Sequence, residues 1–532
     1  MRLTSWATPR TLLIIFGVVT VLQLAVLGVR VESIWSQRET IGTTGLEGAI
    51  IYPIWKVIHA FPLYEWPYRF PFTSTPYNFL FFEVYGQLFR FLRLDGPDVL
   101  IYGKFLTLAF ALAGAVVQYR LCQVLAPNLK NIYARTGFAL SALLTWFGTG
   151  FTSWWALTVR PDVGATMFAL LGLVFGILAI DRDQPSKMVL ASVLMFFGWA
   201  FKQTTIVYAV GLGIYLICRG RWRDVFRLSL PFAVLCTATF IVGDEVYFYN
   251  TIKFDLDLGT VALSEVIRLM LIGLRPNVFF WPIGILGLVL FRVFSGNSKS
   301  ETAASLVQEN QAIRHQPLII LTILAGLVLG LAAYTFPGSS RNHLFQAHAI
   351  VGVLSALIIA AVCAASSGEI IRGMRVAIIV ALIPAGVLPA LQLIHPNRYG
   401  LQNRFAPAVF DARRKFAEYL KTSEKPIYVD DDIFSLPWFV TDNHYPAFLV
   451  DELYYDSASR RGLIENGGME DLITRHCFAI VLVPASDSWV AVATAAEYRK
   501  EPLDPLWSRA LEAKRPWVKL TRTQPRDPTC GF

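Results

Sequence analysis

The chain has 532 residues, of which 55% are hydrophobic and only 16% charged. Soluble domains carry roughly 25% charged residues, so a string of soluble domains is excluded. The net charge of +9 comes from basic residues at the ends of apolar segments, as in Arg219-Gly220-Arg221-Trp222-Arg223, so no nucleic-acid partner is expected.

Several windows of about 18–20 residues are nearly free of charge and long enough to cross hydrocarbon as helices. The fold class expected is therefore an α-helical polytopic membrane protein. In chain order, Met1 to Arg10 carries two arginines and precedes an apolar run over about 11–29. That run is too long for a signal-peptide core and lacks a small-residue cleavage site, so it reads as an uncleaved first span with a cytoplasmic N-terminus. An external loop of about 30–99 follows, rich in proline and aromatic residues such as Trp55, Trp66, Tyr68, Pro76 and Tyr77. Those rings favour short helices lying at the membrane surface. The stretch 79–91 holds Glu83 and Arg90 and is too short and too charged to span.

Further spans are expected at about 100–121, 136–154, 163–180, 188–201, 204–218, 228–243, 276–293, 317–336, 345–365 and 375–393, about 11 in all. The pair at 188–218 is short, and one re-entrant element there remains an alternative. Basic residues in the inner loops, such as Arg120, Arg221, Arg314 and Arg372, fit the positive-inside rule. The odd count leaves the C-terminus outside. Residues 1–400 thus form a transmembrane module, and 401–532 an external soluble α/β domain. Within that domain 425–429 and 478–483 read as strands, and 412–420 and 469–475 as helices. The location permits, without requiring, a disulfide between Cys477 and Cys530.

Polar residues at membrane depth are costly and so mark candidate sites. Four clusters face one side under this topology. They are Glu47; Arg160-Pro161-Asp162; Lys202; and Gly338-Ser339-Ser340-Arg341-Asn342-His343. A solvated loop carboxylate, a helix-start Asp, a snorkelling lysine and a polar loop cap are the bland alternatives. The spacing of His343 and His348 does not fit a zinc helix, and no Cys-x-x-Cys occurs. No metal site is indicated, although a divalent ion stays open as a cofactor.

The order of these clusters resembles the GT-C superfamily of multi-span glycosyltransferases, of the protein O-mannosyltransferase and aminoarabinose lipid A transferase type. The resemblance rests on Leu46-Glu47-Gly48, Tyr52, Pro62-Leu63-Tyr64 and Pro76-Tyr77 in the first external loop. It continues through Arg160-x-Asp162, Gly198-Trp199-Ala200-Phe201-Lys202 and the 338–343 loop, over about residues 11–365. Leu46 departs from the family, which often has a first acid there. The resemblance implies transfer of a sugar from a polyprenyl-phosphate donor to an external acceptor hydroxyl, with inversion. The acceptor would be a glycan, a lipid or a protein, and membrane lipid surrounds the enzyme in a plasma or inner membrane.

In that reading Glu47 is the catalytic base and Asp162 a second catalytic carboxylate. Lys202, Arg341 and Arg160 bind the donor phosphate, and Tyr52, Tyr64, Tyr77, Asn342 and His343 contact substrate. The alternatives are a lipid or sugar transporter or flippase, and a non-catalytic scaffold of an envelope-glycan assembly. Against transport, no inverted repeat is evident and the polar residues gather at one face, not the midplane.

Overall fold

The computed structural model describes residues 6–36, 47–69, 72, 74–95, 97–148, 152–274, 280–285, 315–336, 341–365, 369–395, 407–430, 447–450, 455, 458–505, 507 and 516–530. Its helices are α1 (Pro9–Ser36), α2 (Glu47–Ile58), α3 (Phe79–Leu92), α4 (Pro97–Leu125), α5 (Ile132–Phe147), α6 (Pro161–Arg182), α7 (Pro185–Phe201), α8 (Ile206–Cys218) and α9 (Trp222–Val242). They continue as α10 (Leu263–Leu274), α11 (Gln316–Ala333), α12 (Phe345–Ala364) and α13 (Glu369–Ile394).

Among the described residues seven helices are long and apolar enough to cross a membrane: α1, α4, α6, α9, α11, α12 and α13. At 1.5 Å per residue, even the 18 residues of α11 approach the roughly 30 Å of hydrocarbon. Two shorter apolar helices, Pro185–Phe201 and Gln203–Cys218, occupy the 188–218 region. They read there as separate helices joined at Lys202, which is extended at φ −151°. The expected span at 136–154 corresponds to the 16-residue α5, which ends at Gly148. Most of the span expected at 276–293 lies outside the described residues.

Helix α12 is the hub. Almost every residue from Phe345 to Cys363 is buried, whereas α9 buries only Asp224 and Leu228. The apolar exposed face of α9, including Phe226, Val234 and Ile241, suits lipid. With no hydrophobic drive between helices in lipid, close packing relies on small residues. A Cβ at Gly198 would lie 2.9 Å from the Ala165 carbonyl oxygen, and one at Gly172 2.6 Å from Met195 Cγ. Those glycines let α7 lie directly against α6.

The segment after α1 forms α2 and α3, with 14 residues in α3, too few to span. The C-terminal region is a mixed five-stranded sheet of order β2-β1-β3-β5-β4. Its strands are β1 (Ile427–Asp430), β2 (Ala447–Val450), β3 (Ile480–Pro484), β4 (Arg499–Pro502) and β5 (Trp517–Thr521). β1 runs parallel to β2 and β3, and β5 antiparallel to β3 and β4. Helices α14 (Pro407–Thr422), α15 (Gly468–Thr474) and α16 (Ser488–Ala495) accompany it. Cys477 and Cys530 are joined as a disulfide.

This region grips the loop between α2 and α3. Phe72 enters its core against Tyr455, Glu465 N–H donates to the Tyr68 carbonyl at 3.0 Å, and Arg69 pairs with Glu465 at 2.6 Å.

Candidate active site

The chain enters the site at the start of α6. Pro161 occupies the first turn, where its missing N–H is no loss, and Asp162 lies in that same turn. A carboxylate there is favoured by the helix dipole. The end of α7 lies alongside because Gly198 permits it, and Lys202 Nζ forms a buried ion pair with Asp162 Oδ1. Asp162 Oδ2 is buried without a hydrogen-bond partner among the described residues.

The loop ahead of α3 closes over this pair. Gln203 Nε2 donates to the Pro76 carbonyl at 3.0 Å, Tyr64 hydroxyl to the Tyr77 carbonyl at 2.9 Å, and Asn78 Nδ2 to the Trp199 carbonyl at 2.6 Å. Tyr247 in turn donates to Asn78 Oδ1 at 2.8 Å. Held from four directions, Tyr77 places its ring 5.6 Å from Lys202 Nζ and its hydroxyl 3.4 Å from Arg160 Nη1. The Arg160 guanidinium also lies 4.8 Å over the Trp155 ring. Arg160 is only 3% exposed, yet among the described residues its Nε has no hydrogen-bond partner and it forms no ion pair with a carboxylate.

His343 completes this group. Burial, followed by the charges of Lys202 and Arg160, pushes its imidazole down to about 3, so the ring is neutral at physiological pH. Its Nδ1 also lacks a hydrogen-bond partner among the described residues.

Glu47, the first residue of α2, lies next to this cluster and is fully buried. Lys104 of α4 donates to both of its carboxylate oxygens at 2.6 Å, and Val159 N–H donates to Oε1 at 2.7 Å. Val159 directly precedes Arg160, so the Glu47 carboxylate and the Arg160–Asp162 turn share one short piece of backbone.

Of the residues expected from sequence, the fold joins Tyr77, Arg160, Asp162, Lys202 and His343, with Glu47 one backbone link away. Tyr64 supports the backbone of Tyr77. Tyr52 stacks on Trp55 and faces Lys56 instead. The side chains of Arg341 and Asn342 lie outside what is described, although their backbone forms a short 3-10 turn before α12. Lys104 was missed. Its signal was available, since it is a lone charge inside an apolar run.

Residues 101–247 match the family described as dolichyl-phosphate-mannose-protein mannosyltransferase. That segment runs from α4 to just past the end of α9 and contains Lys104, Arg160, Asp162 and Lys202. The whole chain has the architecture of Cupriavidus metallidurans ArnT bound to undecaprenyl phosphate, with a TM-score of 0.54 and 13% identity over 96% of this chain and 99% of that one. The apo state of the same protein gives a TM-score of 0.53 and 14% identity, over 94% and 97%. The segment 101–247 thus resembles that glycosyltransferase family, and the chain as a whole shares the fold of ArnT. An Archaeoglobus fulgidus oligosaccharyltransferase in the apo form aligns with a TM-score of 0.49 and 12% identity, over 92% of this chain and 73% of that one. No curated protein sequence matches this chain.

Proposed function

We propose that the enzyme moves a sugar from a polyprenyl-phosphate donor to an acceptor hydroxyl at the external face of the membrane, with inversion at the anomeric carbon. The observation that carries this reading is Arg160, a buried guanidinium with an unpartnered Nε. A buried cation is ordinarily compensated by an anion, and a planar guanidinium suits a phosphate. Lys202 and the Tyr77 hydroxyl flank it, and ArnT, which shares the architecture, binds undecaprenyl phosphate. Arg341, from the turn ahead of α12, is a further candidate for the same phosphate. Tyr52, Tyr64, Asn342 and the neutral His343 remain candidates for substrate contact.

In the reaction, Glu47 accepts the hydroxyl proton as the acceptor oxygen bonds to the anomeric carbon. The bond from that carbon to the phosphate oxygen breaks, and the polyprenyl phosphate leaves with the electron pair. Arg160 and Lys202 stabilise its charge. A phosphate leaves without an acid, so one base suffices and the single displacement inverts the centre. Asp162 orients Lys202 through Oδ1 and keeps Oδ2 for a hydroxyl of the substrate. That open oxygen also favours a second reading, in which Asp162 is the base and Glu47 braces the Val159–Arg160 turn.

The topology that accompanies this reading has about 11 spans, a cytoplasmic N-terminus and an external domain from about 401. The disulfide at Cys477–Cys530 supports it, because such bonds persist in oxidising compartments. The chemistry is tested with detergent-purified protein and a panel of radiolabelled polyprenyl-phosphate sugars. Release of the lipid phosphate and label transfer are expected for one of them. Titration with undecaprenyl phosphate tests the slot itself. Arg160→Ala should weaken binding by about ten- to a hundredfold, the worth of a charge-assisted contact of roughly 1.5–3 kcal/mol. Unchanged affinity moves the phosphate site elsewhere.

A further inference from the structure

Lys104 lies in the middle of an apolar helix and is fully buried, as is the carboxylate it holds. A buried ion pair is weak as a stability device, since desolvation of both charges offsets their attraction. Its geometry is nonetheless tightly built. Gly103, the preceding residue, lets the chain at 157–160 approach α4, since a Cβ there would meet Val159 Cγ2 at 2.8 Å. The same approach delivers Val159 N–H to Glu47 Oε1. Thr107, one turn on, bonds the Gly103 carbonyl at 2.9 Å and the Tyr85 hydroxyl of α3 at 2.8 Å. The three neighbours α3, α4 and the start of α6 are therefore locked around one carboxylate.

We propose that Lys104 is a positioning residue of the transfer reaction: it keeps Glu47 ionised in a dry site and fixes the direction of its two oxygens. The proposal rests on Glu47 being the base. An isolated buried carboxylate takes up a proton instead of staying charged, and a protonated Glu47 accepts no proton from the acceptor. The other charged groups on the packed elements do not replace Lys104. Lys56, on the same helix as Glu47, is engaged by Glu65 at 3.2 Å. Lys202 is paired with Asp162. Arg160 faces Trp155 and Tyr77. On α3, Tyr85 directs its hydroxyl to Thr107.

Lys104→Met keeps the length of the apolar stem and removes the charge. Infrared titration of the purified enzyme should then show a protonated-carboxyl band at neutral pH that is absent from the wild type. The band should vanish in the Lys104→Met/Glu47→Gln double variant. Turnover of the active donor should fall at least about tenfold near neutral pH and recover as pH rises, with the acidic limb displaced upward by about two units or more. A loss independent of pH, or no new carboxyl band, overturns the proposal and leaves Lys104 as a packing residue. Should Lys104→Met fail to fold, Lys104→Arg carries the test. It retains the charge, so the acidic limb must stay where the wild type has it, and a displaced limb overturns the proposal. Glu47→Gln alone separates the two levels. Full turnover in that variant defeats the base assignment, whereas an inactive Glu47→Gln beside a pH-insensitive Lys104→Met defeats only the role of Lys104.

Discussion

Two buried arginines at opposite ends of the bundle differ in what surrounds them. At the end where α12 finishes, Arg375 donates to the Val362 carbonyl from Nε at 3.2 Å and Nη2 at 3.0 Å, and to Ala365 O at 3.0 Å. A longer bond of 3.4 Å runs from Nη1 to Ala7 O. The negative end of a helix suits a cation, and these carbonyls would otherwise have no donor. At the other end, among the described residues, Arg160 has one long bond to Tyr77 and an unpartnered Nε. The same end holds an open Asp162 Oδ2 and an open His343 Nδ1. Arg375 closes a structure, and Arg160 is the cation proposed above to meet the donor phosphate.

The largest effect should come from the carboxylates at the open end. Glu47→Gln preserves shape and removes the proposed base, so turnover should fall by roughly 10²–10⁴-fold with undecaprenyl phosphate affinity nearly unchanged. Asp162→Asn, compared under the same conditions, decides between the two acids. If Asp162→Asn shows the 10²–10⁴-fold loss and Glu47→Gln does not, the open Oδ2 marks the base. Equal and small losses in both would remove the enzyme's chemistry from this cluster.

A stability measurement sharpens the contrast directly. Arg375→Met strands the Val362 and Ala365 carbonyls in an apolar setting, and a buried acceptor left unpaired costs about 1–3 kcal/mol. A fall in thermal stability of that order is expected in detergent. Arg160→Met removes a buried cation that has no compensating carboxylate among the described residues, so it should be neutral or stabilising, as substitutions at functional sites often are. Equal destabilisation by both would mean that Arg160 is as structural as Arg375.

The sequence was a good guide to what repeats along the chain and a poor one to what pairs across it. Long apolar windows located α1, α4, α6, α11, α12 and α13 because span length is a property of a single segment. The strands expected at 425–429 and 478–483 were equally legible and overlap β1 and β3, whereas β5, with Val518 and Leu520 inward, was not singled out and β4 is a short, polar edge strand with no such signal. The site was half legible. Arg160, Asp162 and Lys202 stood out as polar residues at helix ends. Lys104 was passed over although it is the single charge between Val99 and Tyr119 of α4, because its partner 57 positions away is not visible in the sequence. The burial of Glu47 was likewise invisible. Its loop reads as exposed, and only the packing of α2 on α3 and α4 encloses it.

The smallest effect concerns His343, and its sign follows from the two cations beside it. Burial, then Lys202 and Arg160, hold its imidazole down at about 3, against about 6.5 in an unfolded chain. Between those values the unfolded chain binds a proton that the folded enzyme refuses. Stability from this group is therefore complete above about pH 6.5 and declines as pH falls toward 3. His343→Gln removes the titration, so the melting temperature should fall less steeply between pH 6.5 and 4 than in the wild type. Turnover between pH 5 and 8 should show no limb from this residue, because it stays neutral throughout. Undecaprenyl phosphate sharpens the test further. Its charge offsets Lys202 and Arg160, so protonation of His343 becomes easier and the wild-type slope should flatten when the lipid is bound. An unchanged slope with saturating lipid would place the phosphate away from these two cations.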